Sequence, residues 1–104
     1  MKILILGSGL MGPAAAYNAM GDQAVTGVTI ADRSQEQLQQ SAAVLRDKQG
    51  ADKLTFAQLD LSDGRSAVDL MVQFDAAVAA LPRPVNLPAI EAALQAGLPL
   101  VDLA

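Results

Sequence analysis

The sequence predicts an α/β fold: a doubly wound parallel sheet of five strands in the order 3-2-1-4-5, with helices on both faces. Two observations support this. Short apolar segments alternate with helix-forming segments from one end of the chain to the other, which is typical of βαβ units. Glycine or proline marks most of the boundaries between them. The length of 104 residues fits one domain, for which we expect the bounds 1–104.

The first half of the chain predicts three strands and two helices. Strands are expected at 2–6, 25–31 and 53–59, because these segments are apolar or β-branched and end at glycine or a polar residue. A helix is expected over 10–20, with Pro13 in its first turn. Ser34 and Gln37 have the spacing of a capping box. They open a second helix that ends at Gly50 and has one apolar face, formed by Leu38, Ala42 and Leu45.

The second half predicts two more helices and two more strands. Ser62 and Asp63 offer a cap for a short third helix, whose inward residues are expected to be Val68, Met71 and Val72. Strands are expected at 74–81 and 100–103. Pro88 suits the first turn of a fourth helix that ends at Gly97. The apolar side of that helix is formed by Leu87, Ile90 and Leu94.

Composition excludes several classes of function. Hydrophobic residues make up 52% of the chain and charged residues 17%, which is incompatible with disorder. The net charge is −4 and the seven Lys and Arg are scattered, so we expect neither a nucleic-acid nor a membrane partner. With no Cys and no His, the chain has no thiolate or imidazole metal ligand, so no metal site is expected. A cysteine-free chain whose opening apolar run is too short for a signal peptide is expected in the cytoplasm.

One glycine motif carries the functional prediction. Gly7-Ser8-Gly9-Leu10-Met11-Gly12 has the form G-x-G-x-x-G. It follows a predicted buried strand, opens a predicted helix, and precedes an acidic residue about 20 positions on, as dinucleotide binding requires. A plain glycine turn is the alternative. In the binding interpretation, Gly7 permits the tight turn, Gly9 lets the backbone approach the pyrophosphate, and Gly12 allows close helix packing.

Asp32 and Arg33 end the second strand and define the expected ribose site. The Asp32 carboxylate can accept both hydroxyls of the adenosine ribose; a solvated aspartate that caps the next helix is the alternative. An ionised Asp32 repels a 2′-phosphate, which favours NAD. Arg33 could instead stack on adenine or grip that phosphate, so NADP stays open.

Two further loops are expected at the same edge of the sheet. Asp60 could accept a hydrogen bond from the adenine amino group while Leu61 packs on the ring, although Asp60 could equally serve as an anion at a helix start. Ala80, Leu81 and Pro82 follow the fourth strand beside the point where the winding reverses. Their backbone is expected to pass the nicotinamide ribose.

The sequence assigns no catalytic residue. No carboxylate pair or activated nucleophile is arranged for chemistry. Arg83 could contact a substrate carboxylate or be simply solvated, and Asp102 could help position nicotinamide or substrate.

Six segments together resemble the N-terminal domain of the saccharopine dehydrogenase-like family, which includes saccharopine, lysine and carboxynorspermidine dehydrogenases. They are Gly7-x-Gly9-x-x-Gly12, Thr29-Ile30-Ala31-Asp32-Arg33, Leu59-Asp60, Ala79-Ala80-Leu81-Pro82, Ala96-Gly97 and Val101-Asp102-Leu103. The glycine loop occurs in many families. The Ala-Leu-Pro loop with Asn86, and the Val-Asp ending, narrow the choice to this one. The resemblance covers essentially the whole chain.

The resemblance implies an NAD(P)-dependent dehydrogenase of Rossmann fold. It would move a hydride between the cofactor and a C–N bond of an amino acid or polyamine-like substrate. The family's substrate-binding and oligomerising domain would lie after Ala104, so we expect this chain to be an inactive fragment of a homo-oligomer. A naturally minimal five-stranded protein is the alternative. Members of the family differ in whether they prefer NAD or NADP. The competing functions are a non-catalytic nucleotide-sensing domain of a regulatory or transport system, and a degenerate domain that only assembles with partners.

Overall fold

The described part of the chain forms one parallel sheet of five strands. The computed structural model describes residues 1–9 and 11–103, without the side chains of 83–85. The strands run in the order β3-β2-β1-β4-β5, which confirms the predicted order and fold class. Their bounds are β1 Lys2–Leu6, β2 Gly27–Asp32, β3 Leu54–Gln58, β4 Ala76–Ala79 and β5 Leu100–Asp102.

Helices cover both faces of this sheet. They are α1 Met11–Met20, α2 Gln35–Leu45, α3 Gly64–Met71 and α4 Arg83–Ala96, and a 3-10 turn at Ala51–Lys53 precedes β3. The side chains of Ile5 and Ile30 pack with α1 and α2 in one core, whereas those of Leu4 and Leu6 pack with α3 and α4 in another. Strand β1 is therefore buried on both faces. This burial explains why its sequence is continuously apolar rather than alternating.

Helix α2 begins where the capping pattern predicts and ends earlier than predicted. The Ser34 hydroxyl accepts a hydrogen bond from the Gln37 N–H at 3.2 Å. In a complete capping box the Gln37 side chain would accept a hydrogen bond from the Ser34 N–H. Here the Ser34 N–H donates to Asp32 instead. The helix ends at Leu45 rather than at Gly50. Gly50 instead adopts a positive φ of 88° ahead of the 3-10 turn, where a Cβ would collide with the Met20 carbonyl.

The prediction for α4 was wrong in its start, and its apolar side faces outward. The helix begins at Arg83, five residues before the proline that was expected in its first turn, so Pro88 lies inside it. Leu87, Ile90 and Leu94 do share one side, but that side is exposed. The buried side consists mostly of alanines, since small side chains let the helix lie close to the sheet. These are Ala89, Ala92 and Ala93.

Helix α3 also departs from the prediction at one position. Met71 is buried and Val68 packs at the edge of the core, as expected, but Val72 is exposed. Val72 is the residue that follows the last helical position, so its side chain has turned away from the sheet. No helix in residues 1–9 and 11–103 combines the length and hydropathy needed to cross a membrane.

Candidate functional site

The carboxyl ends of four strands enclose a cleft of about 400 Å³. Such a crevice, where the winding of a doubly wound sheet reverses, is the usual ligand site of this architecture. Seven of the predicted site residues line it together: Gly7, Asp32, Arg33, Asp60, Leu61, Leu81 and Pro82. Five lining residues that the sequence analysis did not single out as contacts are Leu6, Ala31, Leu59, Ser62 and Pro88.

Gly7 makes the turn out of β1 that the motif predicts. Its φ is +93°, and its N–H donates to the carbonyl of Ala31 at 2.8 Å. A Cβ here would lie 2.5 Å from the carbonyl oxygen of Ala80. Ala80 in turn donates its N–H to Leu6 at 2.8 Å. Ala80 therefore packs against the glycine loop, and its contact with a nicotinamide ribose stays a prediction.

Gly12 lies in the first turn of α1 and packs against the loop itself. A Cβ on Gly12 would collide with the carbonyl group of Gly7, while Ile5 on the sheet would be at 3.9 Å, an ordinary contact. The close packing expected at this glycine is thus between helix and loop more than between helix and sheet.

Gly9 differs from both, because, its two chain neighbours aside, no atom of the described residues lies within 4 Å of where its Cβ would be. Its φ is not in the positive range. Neither the fold nor the backbone conformation therefore requires glycine at this position. The open space adjoins a second cleft of about 430 Å³ between α1 and α2, which Ser8 and Gly9 line. Of the other motif residues, Met11 is the exposed first residue of α1, and Leu10 lies outside the described residues.

Asp32 ties the glycine loop to the start of α2. Its Oδ2 accepts hydrogen bonds from the N–H and the hydroxyl of Ser8, at 3.0 and 2.8 Å. Its Oδ1 accepts from the N–H of Ser34 at 2.8 Å. The carbonyl of Ser8 accepts from the hydroxyl of Ser41 at 3.3 Å, which fixes the loop from the other side. The loop is thus held in place by side chains far away in sequence.

The environment of Asp32 favours its charged form. Partial burial raises the pKa of this carboxyl, but the hydrogen bonds from Ser34 and Ser8, with the nearby Arg33 guanidinium, outweigh burial and lower the pKa overall. One acceptor position remains, on Oδ1, beyond the three bonds that the carboxylate accepts, if each oxygen offers about two. An ionised carboxylate at the cleft therefore still has capacity for a ribose hydroxyl.

The lowered pKa makes Asp32 a source of acid sensitivity. A group whose pKa is lower in the folded state stabilises the fold above its unfolded pKa, and this contribution is lost as the pH falls through the folded pKa. We expect the free energy of unfolding to fall as the pH drops from about 5 to below the ordinary aspartate pKa of about 3.9. The Asp32→Asn variant should lose less over the same interval in urea unfolding. Equal losses in both proteins would contradict this assignment.

Asp60 forms hydrogen bonds within the loop after β3 and is not the N-cap of α3. Its Oδ1 accepts from the Ser62 hydroxyl at 2.7 Å and from the Ser62 N–H at 2.9 Å, and these bonds lower its pKa. The N-cap of α3 is Asp63, which accepts from the Ser66 N–H. Asp60 is therefore an exposed, ionised group at the cleft. Its contact with adenine stays a prediction.

On the far side of the cleft, Asn86 and Asp102 connect α4 to β5. The Asn86 amide nitrogen donates to Asp102 Oδ2 at 3.0 Å, and Asn86 is almost completely buried. Asp102 lies at the carboxyl end of its strand, as expected. The side chain of Arg83 is not among those described, so its proposed substrate contact stays a prediction.

Comparison with protein families gives one match over nearly the whole chain. Residues 3–104 match the family described as the saccharopine dehydrogenase NADP binding domain.

Several solved structures share the fold at low sequence identity. Saccharopine dehydrogenase (L-Glu forming) from Saccharomyces cerevisiae has a TM-score of 0.80 at 18% identity, with 99% of this chain and 21% of that chain covered. Pen from Bacillus thuringiensis has a TM-score of 0.81 at 15% identity, covering 97% and 37%. Scyllo-inositol dehydrogenase from Lactobacillus casei, solved with NAD(H), has a TM-score of 0.69 at 24% identity, covering 98% and 27%. The chain thus spans only a fifth to about a third of these proteins.

Proposed function

Since this chain belongs to the saccharopine dehydrogenase NADP binding domain family, we propose that it binds a nicotinamide dinucleotide with the pyrophosphate at Gly9 and the adenosine ribose at Asp32. The dinucleotide serves hydride transfer in an oxidoreductase that acts on a C–N bond of an amino acid or polyamine-like substrate. A further domain supplies the substrate site. We place the protein in the cytoplasm, in keeping with its lack of cysteine.

The single observation that carries this proposal is the empty space over Gly9. Glycine is present there although neither φ nor a neighbouring atom requires it. The space lies at the start of α1, where unpaired backbone N–H groups and the positive end of the helix dipole favour an anion. A pyrophosphate close to the backbone would make the missing Cβ necessary. The residues present therefore fit this group.

The cofactor, when bound, supplies the chemistry by accepting or donating a hydride at its nicotinamide ring. The residues of this chain bind and orient it. In the proposal, the carboxylate of Asp32 accepts from a hydroxyl of the adenosine ribose. Leu61 packs against adenine, and the segment from Ala80 to Pro82 passes the nicotinamide ribose. Because the sequence assigns no catalytic residue to this chain, we propose that the proton donor belongs to the substrate domain.

We propose NAD rather than NADP as the preferred cofactor, although the family carries NADP in its description. The negative charge of Asp32 is stabilised by three donated hydrogen bonds, so it persists at neutral pH. A 2′-phosphate next to it would meet a like charge. Arg33 also lines the cleft, and its positive charge would attract such a phosphate. Its guanidinium already interacts with the carboxylates of Asp32 and Asp60, however, and contributes to lowering the pKa of both.

The cofactor preference can be measured directly. We expect isothermal titration calorimetry to give a dissociation constant for NAD at least about tenfold below that for NADP, equivalent to about 1.4 kcal/mol. Asp32→Asn removes the charge and keeps an acceptor for Ser8, so it should bring the two constants within about threefold, or about 0.65 kcal/mol. Tighter binding of NADP by the unmodified chain would contradict the preference for NAD.

The proposal also separates binding from turnover. We expect the 104-residue chain to bind the cofactor but to catalyse no NAD-dependent oxidation of amino acids or polyamines, because its sequence shows no carboxylate pair or activated nucleophile arranged for chemistry. Absorbance at 340 nm reports NADH formation over a panel of such substrates. Robust formation of NADH by this chain alone would overturn the assignment of the substrate domain.

A further inference from the structure

Asn86 on α4 is a buried polar side chain with only one of its two polar atoms paired. The residue is 9% exposed, and its amide nitrogen donates to Asp102 Oδ2 at 3.0 Å. Its Oδ1 is buried and accepts no hydrogen bond from any described residue. A buried acceptor without a partner lowers stability. Alanine, which fills the other buried positions described in this helix, would avoid that loss, so stability does not explain why asparagine is present.

The bond from Asn86 orients the carboxylate of Asp102 at the carboxyl end of β5. Asp102 is the last residue of that strand and pairs in register with Ala79, the last residue of β4. The N–H of Leu103 donates to the carbonyl of Ala79 at 3.0 Å, so the backbone is also fixed directly after Asp102. Asp102 itself is exposed. An oriented, solvent-accessible carboxylate therefore stands at the same edge of the sheet as the cleft.

The proposed position of the cofactor brings its nicotinamide ring towards Asp102. In that position the pyrophosphate lies at Gly9 after β1, the adenosine ribose at Asp32 after β2, and adenine at Leu61 after β3. Neighbouring strands are about 4.8 Å apart, so this half of the cofactor reaches two strands from the pyrophosphate. The other half is also a phosphate, a ribose and a ring, and it extends over β4 and β5. The same reach puts its ribose after β4 and its ring after β5.

We propose that Asn86 positions Asp102 so that its carboxylate lies beside the nicotinamide ring and favours oxidised NAD over NADH. This inference rests on the proposed function. The oxidised ring carries one positive charge and the reduced ring carries none, so the carboxylate attracts only the oxidised form. Asp102 acts on the cofactor, whereas Asn86 is a positioning residue that acts through Asp102. Tighter binding of the oxidised form makes the bound cofactor a stronger hydride donor when it is reduced.

Coulomb's law gives the size of the expected preference. Opposite unit charges about 7 Å apart, at an effective dielectric constant between about 40 and 80, change a dissociation constant by about three- to sevenfold. Salt screens an exposed carboxylate, so the effect is largest at low ionic strength. The quantity to compare between variants is the ratio of the dissociation constants of NADH and oxidised NAD, which we call the redox preference.

Three ligands separate this inference from the proposed function. Oxidised NAD, NADH and ADP-ribose, which lacks nicotinamide, are titrated into the 104-residue chain by calorimetry at low ionic strength. ADP-ribose reports the adenosine and pyrophosphate half of the site alone. A chain that binds none of the three would overturn the proposed function and this inference with it. A chain that binds ADP-ribose, but whose redox preference does not depend on Asp102, would overturn this inference alone.

The isosteric variant Asp102→Asn removes the charge and keeps an oxygen to which Asn86 can donate. It should lower the redox preference by about three- to sevenfold and leave the affinity for ADP-ribose unchanged. Asp52→Asn is the matched control, because Asp52 is exposed in the 3-10 turn before β3, at the opposite edge of the sheet. It should leave all three dissociation constants unchanged. An equal loss of redox preference in both variants would contradict a local effect of Asp102.

Asn86→Ala tests the positioning role. Urea unfolding should show that this variant stays folded, because alanine suits the buried side of α4 and removes the unpaired Oδ1. The redox preference should fall by part of the loss seen in Asp102→Asn, since the carboxylate is present but no longer oriented. Added to Asp102→Asn, the same substitution should cause no further loss. A redox preference equal to that of the unmodified chain in folded Asn86→Ala would show that Asn86 does not position Asp102.

Discussion

Replacing Gly9 with valine is expected to lower the affinity for NAD by at least about 100-fold, or about 2.7 kcal/mol, while the domain stays folded. The valine side chain fills the space that the pyrophosphate needs, because in the described part of the chain nothing beyond the two neighbouring residues lies within 4 Å of the Cβ position. The fold has no contact to lose there. Calorimetry with NAD measures the affinity, and circular dichroism with urea unfolding measures the fold.

Gly27→Val is the matched control for this substitution. Gly27 begins β2 at the opposite end of the sheet from the cleft. A Cβ there meets only the Lys2 side chain at 3.9 Å or beyond, and valine suits a strand. We expect NAD affinity equal to that of the unmodified chain. Unaltered affinity in Gly9→Val would remove the pyrophosphate from this loop, and unfolding of Gly9→Val would show that the glycine is structural.

Replacing Gly12 with alanine is expected to destabilise the fold, whereas Gly9→Val leaves it intact. We expect a loss of at least about 3 kcal/mol in the free energy of unfolding. A glycine-to-alanine change inside a helix normally stabilises it, by about 1 kcal/mol. Here the added Cβ collides with the backbone carbonyl of Gly7, so either the helix or the loop must move. Neither can move freely, since Gly7 is hydrogen-bonded to Ala31 in β2. Urea unfolding measures the change.

Gly64→Ala provides the comparison within the same chain. Gly64 occupies the first turn of α3, and outside its own helical turn no described residue has an atom within 4 Å of its Cβ position. We expect a small gain in stability, of about 0.5 to 1 kcal/mol, from reduced freedom in the unfolded chain. If both alanine variants were equally stable, the packing role of Gly12 would be wrong.

The features that local sequence determines were predicted well. Strand order follows from the alternation of elements and the right-handed crossover rule, which needs no tertiary detail. The turn at Gly7 and the cap at Ser34 depend on residues within a few positions of each other. The cleft also follows from topology, since the residues after parallel strands meet at one edge of the sheet.

The features that depend on distant contacts were not predicted. Apolar spacing located a stripe on α4, but it could not show that the alanines rather than the leucines face the sheet. That choice depends on how closely the helix approaches the strands. The bonds from Ser8 to Asp32 join residues 24 positions apart, and nothing in the motif indicates them. Their consequence is that a residue expected to bind ribose also holds the phosphate loop.

The central claim is that this chain binds a dinucleotide across Gly9 and Asp32. With 104 residues, the protein is small enough for its amide resonances to be followed individually by NMR during a titration with NAD. We predict saturable shifts concentrated at Ser8, Gly9 and Met11 and at residues 32–34, with Gly27 unmoved at the far end of the sheet. Shifts confined to residues away from the cleft, or none at millimolar NAD, would contradict the claim.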